Sequence, residues 1–256
     1  MPIAGTGGRG CDMFFYRQYT IFNVAGALLY IMKRLIFATN NKHKLAEVRA
    51  ALAGADVEVV SLAEVGLEGD IPETADTLQG NAQQKAEWVW ERMNCKVDGV
   101  FADDTGLEVE ALGGAPGVYS ARYAGEHCSF DDNIDKLLAA LDGKENRRAC
   151  FRTVICLIGL TPKPPLPGRE GEKDASNSPL LPGEGSGVRP LFFEGRVDGE
   201  ILTERHSNGE GFGYDPVFMP DRFAVSFAEM PLDVKNRISH RGLAVKRLVE
   251  YLAPKQ

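Results

Sequence analysis

Short apolar runs alternate with segments of helical periodicity along the first part of the chain. Lys33–Thr39 is an apolar run that predicts a buried strand, and Lys42–Ala53 carries its apolar residues at helical spacing. Asn40 or Asn41 can cap that helix. The same pattern predicts two more strands and two more helices, the strands at Val57–Ser61 and Gly99–Ala102 and the helices at Leu78–Met93 and Phe130–Leu141.

The pattern changes in the second part of the chain. Ala149–Leu160 is a longer apolar segment, and Pro190–Val197 follows it with no helical pattern between them, which predicts an antiparallel pair. Ser239–Leu252 returns to helical periodicity, with Ser239 in the N-cap position. Strands that first alternate with helices and later pair directly predict an α/β fold with a mixed sheet.

The segment that connects the two long strands, residues 161–190, is rich in Pro, Gly, Ser and charge. It has little to bury, and long surface loops add little closure entropy, so we expect a mobile insertion in a hairpin. Its KPPLP stretch resembles a PxxP ligand, but such patterns are common and weak.

The first 31 residues differ from the rest. A glycine-rich start leads into an apolar run of about 12 residues, shorter than the ~20 that a membrane span needs. No cleavage site follows that run, and MKRLIFATN begins a strand instead. We predict a nonessential extension at residues 1–31 and a folded domain at 32–256. The alternative for the extension is a weak membrane-associating segment.

Charge and cysteine content narrow the functional classes. The formal net charge of −7 argues against nonspecific nucleic-acid binding, which needs a basic face, but a free nucleotide needs only a local basic pocket. Five cysteines without CxxC spacing argue against a zinc site or a disulfide framework. Cys150 and Cys156 lie in an apolar segment and are expected to pack as small hydrophobic residues. Reduced thiols are typical of a cytoplasmic protein.

Two adjacent carboxylates, Asp103 and Asp104, follow the strand predicted at Gly99–Ala102. Thr105 and Gly106 are expected to turn the chain after them. Two acids at the end of a buried strand are costly unless a positive group lies against them, and a divalent metal is the obvious candidate. The alternative is a structural turn in which the acids cap backbone amides.

Thr39–Lys44 joins the first strand to the first helix through a hydroxyl, two amides and basic side chains. A strand, a polar-basic turn and a helix N-terminus together predict a site for phosphate. The alternative is an Asn-capped helix with a solvated basic first turn. Lysines in a first helical turn oppose the helix dipole, which favours the functional interpretation.

Three further segments gain meaning only if the fold brings them to one cleft. Glu73 lies in an acidic loop, and Lys85 is expected on the exposed side of the next helix. In NGEGFGYDPVF, closely spaced glycines flank Phe212, which either stacks on a base or packs inside a tight turn. Lys235–Gly242 clusters cations at the start of the last helix, where Arg and Lys can donate to a purine oxo group.

Four motifs occur in a fixed order along the chain: TNNKHK, FADDTGLEVEALGGAPGVYSARYAG, GFGYDPVF and KNRISHRG. In that order they resemble the inosine-triphosphate pyrophosphatase family, whose members remove noncanonical purine nucleoside triphosphates. The resemblance covers residues 32–252 outside the Pro-rich insertion. It implies a long mixed sheet with helices forming two lobes around a central cleft, in a cytoplasmic homodimer that depends on Mg²⁺.

The resemblance also implies a role for each motif residue. Asp104 would be the general base and, with Glu73, a ligand of Mg²⁺, while Asp103 would support that acidic site. Lys85 would contact phosphate, and Thr105 the substrate. Two larger sets would hold the rest of the nucleotide: Thr39, Asn40, Asn41, Lys42, His43 and Lys44 the triphosphate, and Phe212, Gly213, Tyr214, Asp215, Lys235, His240 and Arg241 the base.

The implied reaction is water attack at the α-phosphate of ITP, dITP or XTP, giving a monophosphate and pyrophosphate. Two alternatives are weighed against it. A Maf-like nucleotide pyrophosphatase would prefer other bases, but the motifs GFGYDP and SHR argue against it. A catalytically silent nucleotide-binding protein would not need both Asp104 and Glu73. The expected partner is a small-molecule nucleotide, with neither nucleic acid nor a membrane.

One position departs from the family pattern. Where the family often has Glu-Asn-Ala, this chain has Gly80-Asn81-Ala82. The glycine removes an acidic contact and is expected to loosen the start of the second helix.

Overall fold

The computed structural model describes residues 32–93, 97–159, 189–206 and 211–253, and seven strands within them share one mixed sheet. The strands are β1 (Lys33–Phe37), β2 (Val57–Ser61), β3 (Gly99–Val109), β4 (Pro116–Gly117), β5 (Arg148–Ile158), β6 (Leu191–Ile201) and β7 (Phe218–Pro220). The helices are α1 (Lys42–Ala51), α2 (Leu78–Arg92), α3 (Phe130–Ala140), α4 (Leu232–Ile238) and α5 (His240–Leu252).

The sheet has a parallel half and an antiparallel half. Its strand order is β2–β1–β3–β5–β6–β7, with β4 paired to β3. The strand β1 runs parallel to β2 and β3. The other pairs, β3 with β5, β5 with β6 and β6 with β7, are antiparallel. The prediction of an α/β fold with a mixed sheet is therefore confirmed, including the antiparallel pairing of the two long strands.

Three apolar clusters divide the described residues into two lobes. In the first lobe, α1 and α5 cover one face of the sheet around Phe37 and Phe101, and α2 covers the other face around Ile36 and Val100. The second lobe packs α3 against the far ends of β3, β5 and β6, around Leu107. These three strands, 11 residues each, run through both lobes. This arrangement agrees with the predicted two lobes.

The strand β3 is longer than the sequence indicates, and the predicted turn at Thr105 and Gly106 is wrong. Every residue from Val100 to Val109 has a partner in β5, so the strand continues through both aspartates. Gly106 lets the backbone of Gly117 approach, since a Cβ at position 106 would lie 2.7 Å from the Gly117 carbonyl oxygen.

Because side chains alternate along a strand, the two neighbouring aspartates of β3 point to opposite faces of the sheet. Asp103 shares the face of Phe101, which is covered by α1 and α5, and its ion-pair partners come from those helices. Asp104 shares the face of Ala102 and reaches α2. The two carboxylates therefore have different partners, although they are adjacent in sequence.

The helix limits agree closely with the periodicity, with one exception at the C-terminus. Asn41 caps α1 by accepting from the amides of His43 and Lys44, and Ser239 caps α5 by accepting from Gly242. The cations placed at the start of the last helix in fact belong to two helices, because Lys235 lies in α4, a short helix that the periodicity misses.

Of the remaining predictions, one is confirmed and others concern segments outside the described residues. Cys150 and Cys156 are buried in β5, as expected for small hydrophobic residues. The extension at 1–31 and nearly all of the insertion at 161–190 lie outside the described residues. Among the residues that are described, none of the helices combines the length and apolar character of a membrane span.

Glycine sets the close contact between β6 and the first turn of α5. A Cβ added at Gly195 would lie 1.9 Å from the carbonyl oxygen of His240 and 2.6 Å from the amide nitrogen of Ala244. Any larger residue would displace the start of α5, where several predicted site residues lie.

We expect Gly195→Ala to lower the free energy of unfolding by about 1–3 kcal/mol, because the helix must move away from the sheet. Urea denaturation measures this change. The matched control is Glu200→Ala, at an exposed position of the same strand, which should change stability by less than about 0.5 kcal/mol. Equal effects of both substitutions would contradict the close-packing explanation.

Candidate functional site

A gap in the sheet positions the candidate site. On one side of β3, β1 pairs up to Phe101 and β4 pairs from Leu107 onward. Between these points lies a cleft of about 440 Å³. Fifteen of the predicted site residues line it: Thr39, Asn40, Asn41, Lys44, Glu73, Lys85, Asp104, Thr105, Phe212, Gly213, Tyr214, Asp215, Lys235, His240 and Arg241.

Three of the residues singled out from the sequence lie outside the lining. Asp103 is buried beneath the cleft with 1% of its surface exposed. His43 is exposed and stacks on the ring of Phe212, with centroids 5.4 Å apart. Lys42 is exposed on the first turn of α1.

At the acidic end of the cleft, two carboxylates meet at one ammonium group. Lys85 Nζ lies 2.6 Å from Glu73 Oε1 and 3.2 Å from Asp104 Oδ1. Asp104 Oδ2 also accepts a hydrogen bond of 3.1 Å from the buried amide of Asn81. The expectation that Lys85 lies on the exposed side of its helix is wrong, because it is 4% exposed and compensated by these two acids.

Burial and charge shift these groups in different directions. Burial raises the pKa of Asp104 above its usual range, and the nearby Lys85 offsets only part of that shift. Burial acts on Glu73 in the same sense, but Lys85, together with Lys44 and Arg122, outweighs it and lowers the pKa of Glu73. Burial also disfavours charged Lys85, yet Asp104 and Glu73 together raise its pKa. The two carboxylates are therefore shifted in opposite directions, upward for Asp104 and downward for Glu73.

This acidic pair suits a small hard cation. Two carboxylates already converge on one positively charged atom, and Mg²⁺ commonly takes one or two protein carboxylates, with waters and phosphate oxygens completing its shell. Within the described ranges, no group of three or more His, Cys, Asp or Glu side chains is arranged to hold a metal ion.

A buried charge network in the wall of the cleft joins three helices to β3. Lys44 Nζ and Arg241 Nε lie 3.0 and 3.1 Å from the two carboxylate oxygens of Asp103. Burial would raise the pKa of Asp103, but these two cations hold it well below its usual range.

Glu47 extends the network to α4. Its carboxylate lies 3.0 Å from Lys235 Nζ and makes a short contact with the guanidinium of Arg241. Lys235 Nζ also lies 2.8 Å from Asp215. Among the described residues, the network contains three cations and three carboxylates: Lys44, Lys235 and Arg241 with Glu47, Asp103 and Asp215.

Some of the backbone amides that could bind an anion in the turn before α1 are already hydrogen-bonded within the protein. The Asn41 side chain accepts from the amides of His43 and Lys44 at 2.9 and 3.2 Å, so these two donors are satisfied within the protein. The Asn40 side chain donates to the carbonyl of Gly69 at 3.1 Å. The capped-helix alternative is thus correct for the backbone, while the side chains of this turn still line the cleft.

Aromatic side chains form the other end of the cleft. Phe212 lies near two buried cations, 4.9 Å from Lys235 Nζ and 5.5 Å from the Arg241 guanidinium carbon. The buried Tyr214 hydroxyl donates to the carbonyl of Ser120 at 2.9 Å, which ties this segment to the second lobe. A planar apolar group with polar edges fits such a surface.

His240 faces the cleft from the first turn of α5. Its imidazole stacks on Phe151 with centroids 4.6 Å apart, and Nδ1 lies 2.6 Å from the hydroxyl of Thr153. Burial and the charge of Arg241 lower the pKa of His240 well below its ordinary value. The ring is therefore neutral at physiological pH.

Sequence reasoning missed several buried polar residues at the site, among them Glu47, Asn81 and Thr153. Helical spacing gives a signal for two of them, since Glu47 lies three residues after Lys44 and Asn81 four residues before Lys85. Thr153 stands in an apolar strand and has no comparable signal.

Comparison with known proteins identifies the family. Residues 35–251 match the family model of the Ham1 family, and the chain belongs to that family. It is 51% identical over 222 residues to the dITP/XTP pyrophosphatase of Porphyromonas gingivalis, covering 86% of this chain and 98% of that protein. It is 44% identical over 219 residues to the dITP/XTP pyrophosphatase of Flavobacterium johnsoniae, with 86% and 97% covered.

Solved structures agree with the family assignment. The Ham1 protein of Staphylococcus aureus superposes with a TM-score of 0.67 at 34% identity, and a HAM1 protein from Coxiella burnetii with 0.69 at 33%. Each comparison covers 86% of this chain and 98% of the other. The resemblance drawn from the four motifs is confirmed.

We expect Glu47→Gln to lower the free energy of unfolding by about 3–5 kcal/mol, because it leaves Lys235 and Arg241 buried with one carboxylate too few. Chemical denaturation at neutral pH measures the change. The matched control is Asp233→Asn, which breaks the exposed pair between Asp233 and Arg237 and should cost less than about 1 kcal/mol. A loss no greater than the control's would contradict the role of the network.

Proposed function

We propose that this Ham1 family protein hydrolyses noncanonical purine nucleoside triphosphates, namely ITP, dITP and XTP, to the monophosphate and pyrophosphate. The observation that carries the proposal is a single cleft whose acidic and cationic end adjoins an aromatic end, in a chain closely related to dITP/XTP pyrophosphatases. Such a cleft matches a nucleotide, which carries polyphosphate at one end and a planar base at the other.

The phosphate end has the charges that a triphosphate requires. Lys44 and Lys85 line the cleft and pair with Asp103 and Asp104 respectively, and the guanidinium of Arg122 lies 3.8 Å from Glu73. Glu73 and Asp104 would hold Mg²⁺, which neutralises phosphate charge when it is bound. The cations of the protein complete that neutralisation on the leaving pyrophosphate.

Asp104 is the proposed general base. A water molecule between Asp104 and the α-phosphate gives its proton to the carboxylate while its oxygen bonds to phosphorus. The bond from that phosphorus to the bridging oxygen breaks, and pyrophosphate leaves with the electron pair. Burial raises the pKa of Asp104, which strengthens the carboxylate as a base.

At the aromatic end of the cleft, where the base would bind, Lys235 can donate a hydrogen bond to a purine oxo group. Lys235 has three N–H groups, and Glu47 and Asp215 accept from two of them within the described residues. The third is available beside Phe212. A donor aimed at O6 accepts hypoxanthine and xanthine, but it meets the amino group of adenine without forming a bond. This polarity explains a preference for 6-oxopurines over ATP.

The other implications of the family resemblance stay predictions. They are a homodimer, a cytoplasmic location, dependence on Mg²⁺ in particular, and a boundary between a nonessential extension and the domain at residue 32. Gel filtration with light scattering tests the first of these directly.

The function is tested by pyrophosphate release from ITP, XTP, GTP, ATP and TTP, with Mg²⁺ and with EDTA. We expect metal-dependent release confined mainly to ITP and XTP. Preferential cleavage of TTP would instead indicate the Maf-like activity. Nucleotide binding without any release would indicate a silent binding protein.

We expect Asp104→Asn to lower turnover of ITP by about 10²–10⁴-fold, because it removes the base while keeping the shape of the side chain. Binding of a nonhydrolysable ITP analogue should persist. Asp142→Asn, an exposed aspartate after α3, serves as the control and should leave turnover unchanged. Turnover close to wild type in Asp104→Asn would contradict the assigned role.

A further inference from the structure

The loop segment Glu73–Ala75 is held to α2 at each of its three residues. The carboxylate of its first residue accepts from Lys85 Nζ at 2.6 Å. Its second residue exchanges two hydrogen bonds of 2.9 Å with the side chain of Gln84. The amide of its third residue donates to Asn81 Oδ1 at 2.9 Å. The loop that carries Glu73 is thus fastened to the helix that faces Asp104.

Two of these helix residues, Lys85 and Asn81, also contact β3. Asn81 does so with a neutral side chain. It is 0% exposed, and its Nδ2 donates to Asp104 Oδ2 at 3.1 Å while its Oδ1 accepts from Ala75. A backbone amide can only donate, and an ionised carboxylate can only accept. A carboxamide has a donor at one end and an acceptor at the other, so it serves both partners at once.

Gly80 makes room for this contact. A Cβ at Gly80 would lie 2.7 Å from the Cβ of Ala75 and 3.0 Å from the hydroxyl of Thr77. Both atoms belong to the loop and its junction with α2, so a side chain at position 80 would push the loop away from the helix. The glycine that departs from the usual family pattern is therefore matched to the close approach of this loop.

We propose that Asn81 is a positioning residue that fixes Asp104 and the Glu73 loop relative to each other, and that Gly80 allows the loop to reach it. The inference rests on the proposed function, in which Asp104 and Glu73 act together on one substrate. Asn81 does not line the cleft and so acts through its two partners.

Three variants separate the two ends of the contact. Asn81→Leu removes both hydrogen bonds at similar volume. Asn81→Asp keeps an acceptor for the Ala75 amide but loses the donor to Asp104. Gly80→Ala displaces the loop and leaves the bond to Asp104 in place. The matched control is Gln83→Ala on the same helix, whose amide pairs with Glu87.

Hydrogen exchange of the Ala75 amide reports the loop without reference to activity. It should rise about tenfold in Asn81→Leu and Gly80→Ala, because a buried hydrogen bond is lost or stretched, and stay near wild type in Asn81→Asp. The control should leave it unchanged.

Kinetics report the effect on the site. Turnover of ITP should fall roughly 10–100-fold in both Asn81 variants, with a smaller change in KM, as is typical when a group that orients a metal-site ligand is lost. The Mg²⁺ concentration for half-maximal activity should rise in Asn81→Leu and Gly80→Ala. Titration of Mn²⁺ binding in the absence of nucleotide gives a second measure of the same change.

Two outcomes would overturn the proposal. One is an unchanged Ala75 exchange rate in Asn81→Leu and Gly80→Ala. The other is a lower unfolding temperature with turnover and Mg²⁺ requirement as in wild type, which indicates a purely structural residue. If Asn81→Leu fails to fold, Asn81→Asp and Gly80→Ala still decide. A wild-type protein that releases no pyrophosphate refutes the proposed function itself, whereas the exchange rates still decide whether Asn81 and Gly80 hold the loop.

Discussion

The pairing of Glu47 with Lys235 and Arg241 connects the beginning of the fold to its end. The two cations lie 188 and 194 residues further along the chain, and all three side chains are buried. Charges so deeply buried are tolerated only when they are paired, and α1 supplies a carboxylate that the cations of α4 and α5 share. That placement brings His240 to the cleft and Arg241 to Asp103. The geometry of the base end thus depends on a residue of the first helix.

Much of the fold follows from local patterns. Periodicity places the strand Val57–Ser61 correctly and sets most helix ends within one or two residues, because one face of each element is apolar and meets a core. The caps at Asn41 and Ser239 follow from the ability of short polar side chains to accept from free amides. Motif order gives the family and most of the residues that line the cleft. These features are encoded within a few residues of sequence.

Other features depend on partners that lie far apart in sequence. The turn predicted after Asp104 is wrong because pairing with β5 extends the strand through two charged residues that local propensity would exclude. Lys85 is buried rather than exposed because carboxylates from a loop and from β3 meet it. Thr153 is joined to the site by its contact with His240, 87 residues away. No local pattern reports which distant charge or hydroxyl will be present, so these residues become visible only in the folded chain.

The gap in the sheet between β1 and β4 has a consequence for association between molecules. An unpaired strand edge is normally a template for another chain, and proteins protect such edges by keeping them short or by placing charges on them. Here the unpaired edge of β3 is short, because β1 pairs up to Phe101 and β4 pairs from Leu107 onward, and this stretch carries Asp103 and Asp104. A foreign strand could pair only along those few residues, where Asp103 and Asp104 are already buried against their cationic partners. The shortness of the open edge therefore protects it from aggregation.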